Sequence, residues 1–317
     1  MKQQNRTKDF ILKNIIYIAF VIMLIGLSVF AKAFLTSNNL INVLRQATVV
    51  GVLSMGMTYV IISGGIDLSV GSTMALASCI AAAYATTSTA IPLPAALALG
   101  CLAGIAVGLI NGVVVSYLGV VPFIATLGMQ YAVRGVALVY TSGRPINALT
   151  SAYTNIGKAY VGFVPVPVIL FVIIALIAWF FLAKTQFGRY IYAIGGNEQA
   201  ALVSGLRVKR IKCAAYVING LTAALAGIIL SARVAVGSPT AGETYDLLAI
   251  TAVVVGGTSN QGGTGGIFPS IIGVFIVTVL NNGMDLLGVS GYYQKIVTGV
   301  VVLLAVIIDR NNVNRNH

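Results

Sequence analysis

Long apolar segments recur along almost the whole chain and constrain its fold more than any other feature. Stretches close to or above the length that crosses a bilayer as a helix, ~20 residues, occupy 15–31, 46–62, 70–90, 94–118, 122–141, 164–183, 213–232, 264–286 and 292–308, and a shorter one occupies 247–256. Hydrophobic residues make up 58% of the chain and charged residues only 8%, which excludes a water-soluble domain. The pattern predicts an all-α, polytopic membrane protein with one transmembrane domain over residues 1–317.

Basic residues lie in three groups that orient the chain in the bilayer. They are found near the N-terminus, in the 184–212 loop and near the C-terminus, as Lys2, Arg6, Lys8, Lys13, Lys184, Arg189, Arg207, Lys209, Arg210, Lys212, Arg310 and Arg315. Because basic flanks mark the cytoplasmic side, an even number of crossings separates successive groups. About ten transmembrane helices with both termini cytoplasmic satisfy this rule, and eight do so if a pair near Gly64 or Gly256 is re-entrant. The basic residues do not gather on one soluble face, so nucleic-acid binding is not predicted.

The first apolar run has a second interpretation. A basic stretch, the run Ile15–Ala31 and the tripeptide Ala31-Lys32-Ala33 together resemble a cleavable signal peptide. The run is long for such a peptide and further spans follow it, so an uncleaved first helix is favoured.

Two glycine-rich segments interrupt the apolar pattern. The first is Ser63–Gly71 and the second is Gly256–Gly266; each follows a β-branched apolar run and precedes another span. Downstream of each comes an Asn-Gly pair, at Asn111 and at Asn282 respectively. Broken spans at corresponding places in two halves are typical of a transport pathway, although two simple glycine turns between helices explain the spacing equally well. The glycine-rich segment and the Asn-Gly pair are further apart in the first half than in the second, which indicates one extra helix in the first half.

Glycines also recur every four residues at Gly100, Gly104, Gly108 and Gly112. This spacing places them in one stripe along a helix, where the backbone of another helix can approach closely.

Catalytic and nucleotide-binding chemistry is not indicated. The one histidine is His317 at the very end of the chain, so no catalytic residue and no metal ligand set is predicted. Cys79, Cys101 and Cys213 lie in apolar runs and are read as core residues. A paired-carboxylate enzyme using Glu243 and Asp246 is disfavoured. No phosphate-binding loop motif occurs, so the chain is expected to bind no cofactor itself.

Ionisable and amide side chains at membrane depth are costly and are functional candidates by default. The candidates for the translocation path are Asp67, Asn111, Arg134, Asn281, Asn282 and Asp285. Amides and a few carboxylates facing a cavity would hydrogen-bond a polyhydroxylated solute. The structural alternatives are that Asp67 caps a broken helix, that Arg134 neutralises a partner carboxylate, and that the paired amides bond between helices.

The 184–212 loop contains a predicted short helix between Asn197 and Gly205. Asn197 can cap it, Glu198 suits its positive N-terminal end, and Gly205 suits the left-handed turn that follows. Such a helix, projecting below the membrane, can transmit a push from a partner protein, although an ordinary amphipathic surface helix has the same pattern.

Several motifs together resemble the permease subunit of bacterial ABC sugar importers of the ribose-type family. They are GGIDLSVGS at Gly64–Ser72, PFIATLG at Pro122–Gly128, Arg134-Gly135, VYTSGRPI at Val139–Ile146, AIGGNEQAALVSGLRV at Ala193–Val208, VVGGTSNQGG at Val254–Gly263 and LNNGMDLLGV at Leu280–Val289. They span almost the whole chain. The resemblance implies ten helices per subunit and a multi-pass protein of the bacterial inner (plasma) membrane.

The resemblance also implies the partners and the coupling residues. A second permease copy would complete the path, an ABC ATPase subunit carrying ATP and Mg²⁺ would bind beneath it, and an extracytoplasmic sugar-binding protein would deliver the solute. The ATPase-coupling residues would be Gly196, Asn197, Glu198, Ala201 and Gly205. Asp285 departs from the uncharged amide expected in many relatives, which leaves the substrate open.

The expected function is therefore uptake of a monosaccharide, ribose or a related pentose or hexose. Within the same class the solute could be a nucleoside, a signalling sugar derivative (an autoinducer) or a branched-chain amino acid. From another class, the chain could be a gradient-driven carrier or channel for a small polar solute, although the dense relay of acids usual in such carriers is missing. An integral membrane enzyme is the most distant alternative.

Overall fold

The computed structural model describes residues 15–315. The predicted N-terminal basic group and His317 lie outside the described residues, as do the side chains of Arg310 and Arg315. The described part is built almost entirely of helices, which agrees with the predicted fold class. It also contains one β-hairpin, made of two strands of two residues each, that the sequence did not indicate.

Thirteen helices and two short strands follow one another along residues 15–315. In chain order they are α1 (Ile15–Phe30), α2 (Ser37–Ile62), α3 (Val70–Ala83), α4 (Leu93–Ser116), α5 (Pro122–Thr141), α6 (Ser151–Lys158), β1 (Tyr160–Val161), β2 (Val164–Pro165), α7 (Val166–Lys184), α8 (Gln186–Gly196), α9 (Glu198–Val203), α10 (Val208–Val234), α11 (Tyr245–Val255), α12 (Ile267–Leu286) and α13 (Gly291–Arg315).

Six of these helices are long and apolar enough to cross a membrane: α2, α4, α5, α7, α10 and α12. Shorter apolar helices occur at Phe20–Phe30, Val70–Ala83, Tyr245–Val255 and Gly291–Leu304. Each of the ten predicted apolar segments thus contains a helix. The boundaries differ most at α2, which begins well before the predicted segment because Thr36 accepts a hydrogen bond from the backbone N–H of Asn39, and at α3, which ends at Ala83 rather than near residue 90.

The helices α2 and α10 form the centre of the bundle, and two-thirds of the most apolar stretch of each is buried. The main hydrophobic core joins them to α3, α7 and α11 through fully buried side chains such as Leu53, Tyr59 and Tyr216. Cys79 and Cys213 are buried as predicted, and all three cysteines are free.

The glycine stripe on α4 packs directly against α10. A Cβ at Gly104 would overlap the carbonyl oxygen of Gly220, and a Cβ at Gly112 would lie 2.7 Å from the Cys213 Sγ. Since Gly112 is near the end of α4 and Cys213 near the start of α10, the two helices run antiparallel. The predicted close backbone approach is confirmed.

The bundle has two distinct ends. The basic end contains the 184–212 loop with α8 and α9, and the helix α10 leads away from it. The opposite end carries α6 and the β-hairpin, where the hydroxyls of Tyr153 and Ser231 are hydrogen-bonded at 2.7 Å. This division separates the candidate coupling segment from the other exposed loops.

Candidate coupling and transport site

The first glycine-rich segment, the first break, turns the chain from α2 into α3. Gly64 adopts a left-handed conformation with φ of +79°, which glycine allows without steric cost. The carboxylate of Asp67 then accepts hydrogen bonds from the backbone N–H of Ser69 at 2.9 Å and from its hydroxyl at 2.7 Å. Asp67 therefore orders the turn that precedes α3. Ser69 occupies the N-cap of that helix without a side-chain capping bond, so the helix-capping alternative for Asp67 is not confirmed.

Two amides from other helices complete the surroundings of Asp67. Asn219 Nδ2 on α10 donates to Asp67 Oδ2 at 2.9 Å, and Asn111 Nδ2 on α4 donates to Asp67 Oδ1 at 3.3 Å and to Ser69 Oγ at 2.8 Å. The side chains of Asp67, Asn111 and Asn219 are at most 1% exposed. Within the described chain the one salt bridge joins Lys212 to Glu198, so Asp67 is held by neutral donors alone. The group formed by Asp67, Ser69, Asn111 and Asn219 is called the Asp67 cluster below.

The backbone beside Asp67 bonds to two more helices. The Tyr216 hydroxyl on α10 donates to the carbonyl oxygen of Ile66 at 3.2 Å, and the backbone N–H of Leu68 donates to Thr126 Oγ1 on α5 at 3.1 Å. The first break is therefore attached to α4, α5 and α10 by side-chain hydrogen bonds.

Sequence reasoning missed Asn219, Tyr216 and Thr126. A signal for Asn219 was present, since Asn219-Gly220 is a third Asn-Gly pair within an apolar run, beside those at Asn111 and Asn282. Tyr216 and Thr126 are residue types that occur throughout the spans, and nothing in the sequence distinguishes them.

Asn282, the predicted counterpart of Asn111, lies in a different environment. Its amide exchanges two hydrogen bonds with the amide of Asn39 on α2, at 2.9 and 3.0 Å, and it is 1% exposed. It therefore bonds between helices, one of the two roles expected for it, and does not contact either break.

Asn281 and Asp285 also lie away from the Asp67 cluster. Asn281 lines a cavity of about 350 Å³ together with Thr244, Gln294 and Thr298. Asp285 is exposed and accepts a hydrogen bond from Gln294 Nε2 at 2.7 Å. The six predicted path residues thus do not form one site.

Arg134 on α5 bonds to backbone rather than to a carboxylate. Its Nη1 donates to the carbonyl oxygens of Pro239 and Ala241, the latter at 2.8 Å, and Glu243 and Asp246 act on its charge from further away. The expected direct neutralisation by a carboxylate is absent between residues 15 and 315. Arg134 instead fixes the turns that lead into α11.

The second glycine-rich segment, the second break, connects α11 to α12 through hydroxyls and backbone groups. Ser270 Oγ on α12 contacts Thr58 Oγ1 on α2 at 2.9 Å and donates to the carbonyl oxygen of Gly266 at 2.9 Å. The backbone N–H of Gly263 donates to the carbonyl oxygen of Ile62 at 2.9 Å, so the second break is bonded directly to the end of α2.

The predicted short helix is present as α9, and it begins and ends as expected. Asn197 Oδ1 accepts a hydrogen bond from the backbone N–H of Ala200 at 2.9 Å, Glu198 pairs with Lys212 at 2.9 Å, and Gly205 has φ of +82°. Ala201 is 5% exposed and packs against Ile194. These contacts fix α9 to α8 and to the start of α10.

Two apolar side chains at the end of α9 are uncovered. Leu202 is 57% exposed and Val203 is 88% exposed. Exposed apolar side chains on a short helix at the basic end form a surface suited to a protein partner. Across residues 15–315 no three His, Cys, Asp or Glu side chains are grouped so that they could hold a metal ion.

The architecture defines a class of protein: a helical membrane transport subunit with broken spans and a projecting helix at one end. A family model described as "Branched-chain amino acid transport system / permease component" matches residues 39–306, and the chain belongs to this family. It is a transporter subunit rather than an enzyme.

Curated relatives agree with this assignment over nearly full length. The chain is 47% identical over 296 residues to the ribose import permease protein RbsC of Bacillus subtilis, covering 93% of this chain and 91% of the relative. It is 45% identical to RbsC of Escherichia coli K12, covering 96% and 95%, and 38% identical to the D-allose transport system permease protein AlsC of the same strain, covering 92% and 89%. No solved structure matches the chain significantly. The predicted membership of the ribose-type permeases of ABC sugar importers is confirmed, and the protein is placed in the bacterial inner membrane.

Proposed function

We propose that this chain forms the transmembrane path of an ATP-binding-cassette importer that takes up a monosaccharide, ribose or a related pentose or hexose. The observation that carries the proposal is the placement of α9, which is capped, fixed to α8 and α10, and exposes Leu202 and Val203 at the basic end. An ATPase subunit binds there, carries the ATP and Mg²⁺, and supplies the movement. The chain itself binds no cofactor.

The sugar is inferred from relatives that import ribose and allose. An extracytoplasmic binding protein delivers it at the opposite end. Because that partner selects the solute, the permease needs only a weakly polar path, which agrees with the small number of polar side chains on its spans. The family description names branched-chain amino acids, so leucine is the alternative solute to test.

The six long and four shorter apolar helices support ten crossings with both termini cytoplasmic. The antiparallel pairing of α4 with α10 and the position of α8 and α9 at the basic end agree with this topology. Cysteine labelling from either side of sealed vesicles tests it: Val203→Cys should react only from the cytoplasmic side and Phe163→Cys, whose native side chain is 87% exposed in the β-hairpin, only from the outside.

The second permease copy is proposed from the properties of α5. Of the six long spans, α5 has the lowest mean hydropathy. Only 17% of its most apolar stretch is buried. A span that faces lipid is expected to be strongly apolar, as α7 is. The uncovered side of α5 therefore faces another subunit or an aqueous path, and native mass spectrometry of the purified permease should give a homodimer.

Reconstitution in proteoliposomes tests the whole proposal. The permease with its ATPase and sugar-binding protein should accumulate ribose when ATP is supplied, and the permease alone should not. Concentrative uptake by the permease alone would instead support a gradient-driven carrier, and uptake of leucine but not sugars would support the amino-acid alternative.

A paired substitution tests the role of α9. Val203→Asp places a charge on the proposed ATPase surface and should abolish both ATPase co-purification and uptake. Val234→Asp, at the opposite end of α10 where the valine is 50% exposed, should leave ATPase co-purification intact. Equal co-purification in both variants would place the ATPase elsewhere.

A further inference from the structure

Three backbone segments meet next to α9. They are the end of α8 at Gly195, the junction of α2 with the first break at Ile62 and Gly64, and the second break at Gly262 and Gly263. A Cβ at Gly195 would overlap the carbonyl oxygen of Ile62 and lie 2.5 Å from the backbone nitrogen of Gly263. Gly195 therefore covers the hydrogen bond that joins those two groups.

Glycine is also required on the other sides of this contact. Gly262 and Gly263 have φ values of +88° and +74°. A Cβ at Gly262 would lie 2.9 Å from the Gly195 carbonyl oxygen and 3.1 Å from the Gly64 nitrogen. The first of these contacts is closer than real Cβ atoms show, so glycines at positions 195, 262 and 263 let the three segments approach this closely. Gly64, Gly195, Gly262 and Gly263 are called the glycine junction.

A side chain of α8 adds a second attachment. Tyr192 lies one turn before Gly195, and its hydroxyl donates to the carbonyl oxygen of Gly265 in the second break at 2.9 Å. Burial raises the pKa of Tyr192 above its ordinary value, so the phenol keeps the proton that it donates at neutral pH.

We propose that Gly195 and Tyr192 are positioning residues that make both breaks move together with α9. This inference rests on the proposed function, in which a partner ATPase moves α9. Since α9 is fixed to α8 by Ala201 and Ile194, displacement of α9 displaces the end of α8. The glycine junction passes that movement to the first break, and the glycine junction and Tyr192 pass it to the second.

The two breaks pass the movement to different helices. The first break continues into the Asp67 cluster and so reaches α4, α5 and α10. The second break reaches α12 and α2 through Ser270 and Thr58. One displacement at α8 therefore acts on helices throughout the bundle, with no separate link needed for each half.

Distance measurements between spin labels test the joint movement in the complete importer. Labels at Gln199→Cys and Gln261→Cys, introduced with the native cysteines replaced, report on α9 and the second break. Gln199 is exposed on α9 and is not one of the two residues, Leu202 and Val203, of the proposed ATPase surface. In the reconstituted complex the separation of the two labels should stay constant between nucleotide-free and ATP-bound states, while each label changes its distance to one on α13 at Tyr292→Cys. A changing separation between Gln199 and Gln261 would overturn the inference.

Substitution of Tyr192 tests the attachment to the second break. Tyr192→Phe removes one hydrogen bond and keeps the ring, and it should lower the sugar molecules moved per ATP hydrolysed by about threefold to tenfold. The matched control is Tyr190→Phe on the same helix, which should keep the native ratio. A purely structural role would lower uptake and ATP hydrolysis in equal proportion, and an unchanged ratio in Tyr192→Phe would also contradict the proposal.

Failure of the inference and failure of the proposed function give different results. If the complete importer with native permease shows no ATP-driven uptake, the proposed function fails before any variant is compared. If native uptake is normal but the Gln199–Gln261 separation changes on ATP binding, only the joint movement is refuted. Gly195→Ala adds a second check, because it should reduce coupling more than Gly26→Ala, where a Cβ meets no neighbour within 4 Å.

Discussion

The two breaks lie side by side at the end of α2 but are held by different chemistry. The first break contains a buried carboxylate that accepts hydrogen bonds from Ser69, Asn111 and Asn219. The second break is held by hydroxyl groups and by backbone contacts such as Gly263 to Ile62. Side chains on three other helices, Asn111, Thr126 and Asn219, bond to the first break, so the first break is the more firmly fixed of the two.

This difference suggests a division of roles between the breaks. A firmly fixed first break carries movement to three helices as a unit, whereas a second break held by weaker contacts changes conformation more easily. Regions that move in transport are drawn from the less stable parts of a structure. The following predictions test whether the contrast is real.

The largest effect is expected at Asp67. Asp67→Ala removes the acceptor of Ser69, Asn111 and Asn219, and leaving buried donors unpaired should cost about 3–5 kcal/mol of folding free energy. Unfolding of the purified permease in mixed micelles titrated with SDS measures this cost. Asp285→Ala, at an exposed carboxylate, serves as the control and should change stability little. If Asp67→Ala were as stable as the native permease, the first break would not be more firmly fixed than the second.

A pair of glycine substitutions separates strain from packing. Gly64→Ala places an alanine at a left-handed φ of +79°, and its Cβ has no neighbour within 4 Å. Backbone strain alone should therefore lower the free energy of unfolding by about 1–2 kcal/mol. Gly263→Ala has the same strain and also meets the Gly196 Cα at 2.8 Å, so it should cost about 2–4 kcal/mol. Equal costs in the same unfolding assay would show that the junction is not tightly packed.

Loss of a single donor to Asp67 should have an intermediate effect. Asn219→Ala leaves Asp67 Oδ2 without its amide partner and should cost about 1–2 kcal/mol. Asn219→Asp is the sharper variant, because it places a second carboxylate against the first and should be less stable than Asn219→Ala at neutral pH. If Asn219→Asp proved the more stable of the two, the carboxyl group of Asp67 would have to be protonated.

The smallest effect is expected in the second break. Ser270→Ala removes the contacts with Thr58 and with the Gly266 carbonyl and should cost about 0.5–1 kcal/mol. ATP-driven uptake should remain measurable in this variant. A cost equal to that of Asp67→Ala would mean that the two breaks are equally fixed.

The helices and the break positions could be predicted from the sequence because each depends on local properties. The apolar runs located the six long apolar helices and the four shorter ones. The glycines of the two breaks predicted turns, and Gly64 and Gly263 there have the left-handed φ values that glycine allows. The cap of α9 at Asn197 was predictable for the same reason, since capping involves residues only three positions apart.

The partners of the polar residues could not be predicted in the same way. Asn111 and Asn282 each begin an Asn-Gly pair in an apolar helix, yet one bonds to Asp67 and the other to Asn39, because the choice depends on which helix packs opposite. A carboxylate partner was the structural alternative for Arg134, but the turns before α11 place the carbonyl groups of Pro239 and Ala241 nearer. The contact of Gly195 with both breaks involves positions more than 60 residues apart along the chain and left no local signal.

The glycine stripe between α4 and α10 limits how this bundle can open. Where two backbones touch, a shift of one helix along the other would drive the β-carbons of neighbouring residues into the opposing main chain. The helices α4 and α10 can tilt together as one rigid unit but cannot slide along each other. Opening and closing of the path therefore requires other helices to move relative to this pair.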